Sequence, residues 1–224
     1  MTTSPKRPIL TGSRPGRDSI VIATTVILGI SLLSGCLSRP SLVKQSFTLS
    51  CPPMTSSPAT TTNRVLGIKR LMIAAPFDDQ SLVYRTGEFS YERDPYAEFL
   101  VPPAEAFAVA IRGYFQDSGV FNTVTEAGSA FMPDVLVEIF IDQLYGDFRD
   151  HADASAVLAM HFIFFNASTG TPGRVLEQKA CSRRIHVKAR TAASLMEGWN
   201  EALKEVLNEV CSDLKTNSVL VRSL

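Results

Sequence analysis

Fifteen consecutive residues without a charge, Ser19 to Leu33 (SIVIATTVILGISLL), decide where the folded part of this chain begins. As a helix they span only about 23 Å, short of the ~30 Å hydrocarbon core of a bilayer. Lys6, Arg7, Arg14 and Arg17 precede the run, and only Asp18 opposes them. A basic start followed by a short apolar stretch is the pattern of a cleaved export leader rather than of a structural helix. Residues 1–35 are therefore set apart from the domain core.

The run ends in Leu33-Ser34-Gly35-Cys36. This resembles the bacterial lipobox, in which a small residue precedes a cysteine that is acylated and becomes the new N-terminus. The resemblance implies cleavage after Gly35, acyl chains on Cys36 and attachment to a lipid bilayer through them. Removing residues 1–35 takes away four basic residues and one acidic one, which leaves 18 basic and 21 acidic residues, net −3. Leu37 follows the cysteine, where an Asp is the usual inner-membrane retention signal. By that sorting analogy the protein is expected at the periplasmic face of the outer membrane.

Neither the whole chain, at net zero, nor the processed one carries the basic excess that phosphate neutralisation requires, so a nucleic-acid role is set aside. Cys51, Cys181 and Cys211 would share an oxidising compartment, where disulfides persist. Three thiols allow one bridge, and Cys51 with Cys181 is the pair to test. Cys211 lies on a helical face with Leu207, Val210 and Leu214, the setting of a buried free thiol. No Cys-x-x-Cys occurs, so a thioredoxin-like or zinc-ribbon site has no support.

Residues 36–63 read as a lipid-anchored tether, with Ser, Thr and Pro dominating Pro52 to Thr62 and a β-prone run at Gln45 to Ser50 as a first strand. Residues 64–224 read as one domain. Val65 to Ala75 is an aliphatic strand that stops at Pro76. Ser81 to Tyr91 carries a strand at each end of a Thr86-Gly87 turn. Pro102-Pro103 opens a helix whose Phe107, Ile111, Tyr114 and Phe115 share a face, and Gly119 ends it. Three strands follow: a short one at Val120 to Thr125, an alternating one from Val135 to Ile141, and Ala156 to Phe165, apolar on both faces. A Thr169–Gly173 turn leads to a more exposed strand, Val175 to Val187. Ser194-Leu-Met-Glu197 fits a capping box ahead of a stripe of Leu195, Trp199, Leu203, Val206, Val210 and Leu214. The order predicts an α+β fold, an antiparallel-rich sheet with two amphipathic helices on one face.

Catalytic motifs are missing: there is no GxSxG, P-loop or GxGxxG. His161 lies in the most apolar strand, and His186 sits in a cationic run with Arg183, Arg184 and Lys188. Asp147 to Asp153, which includes His151, has the residue types of a cation site, but it reads as a polar hairpin tip. No enzyme activity, metal or cofactor is expected. Tyr84, Arg85, Tyr91 and Arg93, with Phe89, Tyr96 and Phe99 around them, form a dense aromatic and arginine stretch, the composition of an interface core.

Taken in order, the LSGC at Cys36, Phe47-Thr-Leu49, Leu82-Val-Tyr-Arg85, Asp134-Val-Leu-Val-Glu138 and the terminal amphipathic helix resemble the ABC-type transport auxiliary lipoproteins, the group that includes paraquat-inducible protein C. Two positions depart from the family pattern: Ser46 stands where a second aromatic is common, and Phe99 where a Trp is common. The resemblance implies a non-enzymatic component of a lipid-transport system, partnered by an MCE-domain protein and its inner-membrane ABC transporter. Homo-oligomers are also within the family's range. The alternative is a lipoprotein for outer-membrane or lipopolysaccharide assembly that binds a β-barrel.

Overall fold

The computed structural model describes residues 43–50, 62–126, 132–150, 152–167 and 173–216. Gly35, Cys36, Cys51 and His151 lie outside the described residues. Eight strands form one sheet: β1 (Gln45–Phe47), β2 (Val65–Ile73), β3 (Ser81–Arg85), β4 (Tyr91–Phe99), β5 (Thr123–Glu126), β6 (Val135–Asp147), β7 (Ser155–Asn166) and β8 (Val175–His186). Helix α1 (Pro103–Asp117) lies between β4 and β5, and α2 (Ala192–Thr216) follows β8.

Strand β6 organises the sheet. Along one side it pairs with β7, antiparallel, over its full length. On its other side the first half pairs with β2 and the last two residues with β3, both parallel. The chain passes from β2 to β3 through a single 3-10 turn, Ala75–Phe77, with Pro76 at its start. β4 then folds back on β3, β1 adds to the outer edge of β4, and β5 adds to β2. The sheet is α+β but mixed, with four of its seven pairings parallel, which corrects the expected antiparallel-rich arrangement. The reason is topological. The hairpins announce themselves by short turns, whereas the parallel pairs join segments far apart in the chain and need long crossovers.

Pro95 sits inside β4, where a central strand would not tolerate it. It falls between the two stretches that pair with β3, at the register shift between Ser81 and Val83. The first strand is part of the fold: Lys44 pairs with Glu98 at 2.7 Å, and the Ser50 amide donates to Asn200 Oδ1 of α2 at 2.9 Å.

The core lies between the sheet and the helices. Val135, Val137, Ile139 and Ile141 of β6 and Ala156, Leu158, Met160, Phe162 and Phe164 of β7 are at most 1% exposed, and all sit at alternate positions. Phe107, Ile111 and Phe115 of α1 and Leu195, Trp199, Leu203 and Val206 of α2 are fully buried against this layer. The helices meet where the Tyr114 hydroxyl donates to Asn208. Gly119 ends α1 with φ of 64°, a conformation glycine adopts without a Cβ clash. Gly198 has a different cause: a Cβ there would stand 2.6 Å from the Ala156 Cβ, so its lack of a side chain lets α2 lie down on β7. Helix α2 starts before the expected capping box. The Thr191 hydroxyl accepts the Ser194 amide at 3.2 Å, which makes Thr191 the cap.

Both described thiols are buried and free. Burial pushes Cys211 up to about 11 and raises Cys181 as well. The thiolate is the reactive form, so both should be slow to alkylate. Native protein treated with N-ethylmaleimide at pH 8 is expected to leave Cys211 unmodified and to label it only on denaturation. Rapid native labelling, read by peptide mass, would show that the C-terminal half of α2 opens.

Candidate partner-binding face

The face of the sheet away from the helices carries part of the aromatic and arginine stretch. Strand parity divides the four residues singled out above. Arg85 is opposite Tyr91, and Arg93 is opposite Val83, so Arg85, Tyr91 and Arg93 share this face. Tyr84 points to the other side, where its ring stacks on Phe148 at 4.8 Å and its hydroxyl donates to Asp94. Burial, then the bond to Asp94, raises the Tyr84 phenol well above its ordinary value, so it stays a donor.

On the open face Tyr91 caps a three-ring cluster. Its ring meets Tyr145 edge-on at 5.6 Å and Phe77 at 6.1 Å, while Phe77 and Tyr145 stack at 5.7 Å. Phe77 and Tyr145 are buried, whereas Tyr91 is 46% exposed. The Arg85 guanidinium lies 5.7 Å from the Tyr91 ring and donates to the carbonyls of Gly87 and Glu88, bracing the β3–β4 turn. Arg93 pairs with exposed Asp79 at 3.2 Å. A half-exposed Tyr on a rigid aromatic base, beside arginines, is the composition of an interface hot spot. Phe89 at the turn is 87% exposed, Tyr96 is half-exposed and Phe99 is buried, so the stretch supplies both surface and core.

Asp147 is not a solvated hairpin tip. It ends β6 at 3% exposure and accepts both Arg149, at 2.9 and 2.7 Å, and Arg184, at 2.9 Å. The bond from Arg149, with that from Arg184, holds its carboxyl well below the usual carboxylate range. Sequence reading missed this because Arg184 arrives from β8, far along the chain. A group with a depressed folded pKa stabilises the fold above its unfolded pKa and loses that contribution as pH falls through the folded value. Asp147→Asn is therefore expected to cost about 1–3 kcal/mol at pH 7, at the modest end because both arginines are partly exposed. In urea melts the gap between wild type and variant should hold down to about pH 5 and shrink below about pH 4. A gap independent of pH would mean that the ion pairs do not carry it.

Further along the same face, Arg70 lies 5.2 Å from the Phe140 ring, and His161 stacks on Phe140 at 4.5 Å. The His161 ring nitrogen contacts Asp142 at 2.7 Å, and His186 contacts Asp153 at 3.1 Å. Glu138, at 7% exposure, is bracketed by Lys69 and Arg70, whose bonds depress its carboxyl. Among the described residues no cluster of His, Cys, Asp and Glu has the makings of a metal site, and no helix is long and apolar enough to cross a membrane.

A family profile described as the ABC-type transport auxiliary lipoprotein component matches residues 47–211, from β1 to the last turns of α2. The chain belongs to that family. Among solved structures it is similar to XCC0632 from Xanthomonas campestris, a DUF330 protein, with 15% identity and a TM-score of 0.62 over 80% of this chain and 95% of that one. It is also similar to an uncharacterised protein, with 9% identity and a TM-score of 0.60 over 77% and 99%. At these identities the likeness is one of fold. No curated protein matches the chain.

Proposed function

We propose that this lipoprotein is a non-enzymatic docking component of an MCE-type lipid-transport assembly fed by an inner-membrane ABC transporter. Acyl chains on Cys36 hold it at the periplasmic face of the outer membrane. The partner is an MCE-domain protein, received on the helix-free face around Tyr91. The observation that carries the docking reading is the Tyr91–Arg85–Arg93 cluster, which exposes aromatic surface on a rigid base. The titratable groups of this region support docking over catalysis, since Asp147, His161 and His186 each have a charged partner within the domain.

Tyr91→Ala with Arg93→Glu should weaken co-purification with the MCE-domain partner, by ~2 kcal/mol or more if Tyr91 is a hot spot. The melting temperature should fall only modestly, because both side chains are about half exposed although Tyr91 gives up its ring contacts with Phe77 and Tyr145. Reversal at Arg85 should weaken binding too, but with some loss of stability from its bonds to the β3–β4 turn. Undiminished co-purification of the double variant would remove this face from the interface. Recovery of a β-barrel instead of an MCE protein by crosslinking at Tyr91 would favour an outer-membrane assembly role.

A further inference from the structure

The side of the β3–β4 hairpin away from Tyr91 holds a cavity of about 480 Å³, between the hairpin, β1 and the entry to α2. Its volume falls within the ~300–1,000 Å³ of sites that accept small molecules. The stacked rings of Tyr84 and Phe148 form part of the wall, with Tyr96 beside them. Glu92 and Asp94, two residues apart on β4, supply carboxylates. Asp94 is fixed in place: one oxygen accepts the Tyr84 hydroxyl, and the other accepts the amides of Tyr96 and Ala97 at 2.8 and 3.0 Å. Glu92 accepts the Thr86 hydroxyl through one oxygen at 3.1 Å. The opposite charge comes from another element. Arg190, just before α2, lies 4.8 Å from the Phe148 ring and donates to the Phe148 carbonyl at 2.9 Å, which orients its guanidinium at the cavity.

The chemistry of such a cavity is that of a zwitterion. Aromatic faces beside carboxylates stabilise an ammonium group. An oriented guanidinium binds a phosphate oxygen. The place of the cavity in the chain narrows the source. Gln45 lines it, and Gln45 stands nine residues after Cys36. An extended chain of that length reaches at most about 30 Å, so an acylated Cys36 keeps the cavity near the bilayer surface. We propose that this cavity binds a phosphate–ammonium zwitterion, the headgroup of a lipid in the anchoring bilayer. The assignment of the bilayer as source rests on acylation of Cys36 as read above.

The test uses the full-length acylated protein in detergent micelles, titrated by calorimetry with soluble glycerophosphoethanolamine. Glycerophosphoglycerol, which keeps the phosphate and lacks the ammonium, and ethanolamine, which keeps only the ammonium, are the comparison probes. The zwitterion is expected to bind at least about tenfold more tightly than either half. Arg190→Gln and Glu92→Gln should each weaken it by about tenfold; the melting temperature should hold for Glu92→Gln and fall slightly for Arg190→Gln, which loses contacts to Phe148. Equal binding of glycerophosphoglycerol, or no effect of Glu92→Gln, would overturn the zwitterion assignment, and so would failure of the zwitterion to bind. In a second arm the protein is reconstituted in vesicles containing photoactivatable phosphatidylethanolamine. Labelling at Tyr96 that disappears in the Arg190→Gln variant supports the bilayer source. Binding of the soluble compound without such labelling overturns it in favour of a free phosphate ester. Both variants should still co-purify with the transport partner, which separates failure of this proposal from failure of the docking reading.

Discussion

Replacing Trp199 with Ala is expected to lower the unfolding free energy by about 3–5 kcal/mol, out of the ~5–15 kcal/mol that holds a domain of this size together. Trp199 is fully buried and is among the largest side chains in the core. Its ring stacks on Phe99 of β4 at 5.7 Å, and its indole N–H donates to the Val157 carbonyl of β7 at 3.2 Å. The side chain therefore joins α2 to two separate parts of the sheet. Truncation leaves a cavity between helix and strands, exposes one face of Phe99 to that cavity and removes the indole hydrogen bond to a carbonyl within the sheet. Gly198, the neighbour, is what allows this close approach, so the helix cannot simply sink to fill the space against Ala156. Trp199→Phe should recover part of the loss by restoring the stack without the hydrogen bond. A thermal or urea melt within error of wild type for the alanine variant would mean that α2 is held chiefly by its outer rim, where Lys179 and Arg183 pair with Glu205, Glu209 and Asp213.

The helices were legible because their apolar stripes repeat at helical spacing, and Leu195, Trp199, Leu203 and Val206 are all buried as that spacing predicts. The start of α2 was less so, since Thr191 and Ser194 are both good caps and only the hydrogen bond selects Thr191. Hairpins could be read from their turns. The parallel pairing of β2 and β3 with β6 could not, because no local residue pattern records which distant strand a segment joins. At the candidate interface, composition marked one stretch and grouped Tyr84 with Arg85, which the strand pairing separates. Strand alternation already sends adjacent residues to opposite faces, so the signal that separates them was present in the sequence. For Asp147 the sequence carried less: its neighbour Arg149 was visible, but burial depends on Arg184 across the sheet.

Cys36→Ser should abolish acylation and release the protein from the membrane fraction, the largest functional effect expected of any single substitution here. On the lipobox reading proposed above, the apolar run Ser19 to Leu33 is part of a cleaved leader, and membrane attachment would rest on acyl chains on Cys36. Each buried methylene is worth ~0.8 kcal/mol; one chain gives only marginal binding, and two or more give stable anchoring. Losing the acceptor thiol removes all of them together. Labelled palmitate should enter the wild type and not the variant, and the variant should be extractable by carbonate while its domain still melts normally. The domain is expected to melt normally because the first described strand, β1, is fastened to β4 by its own pairing and to α2 through Ser50. Equal palmitate incorporation in wild type and variant would place the lipid on another cysteine or on none. It would also remove the argument that keeps the Tyr84–Arg190 cavity at a bilayer surface, while leaving the Tyr91 face untouched. Loss of transport-dependent membrane integrity in the Cys36→Ser strain, together with retained binding of the partner in solution, is the expected combined result, because the anchor and the docking face proposed above use different parts of the chain.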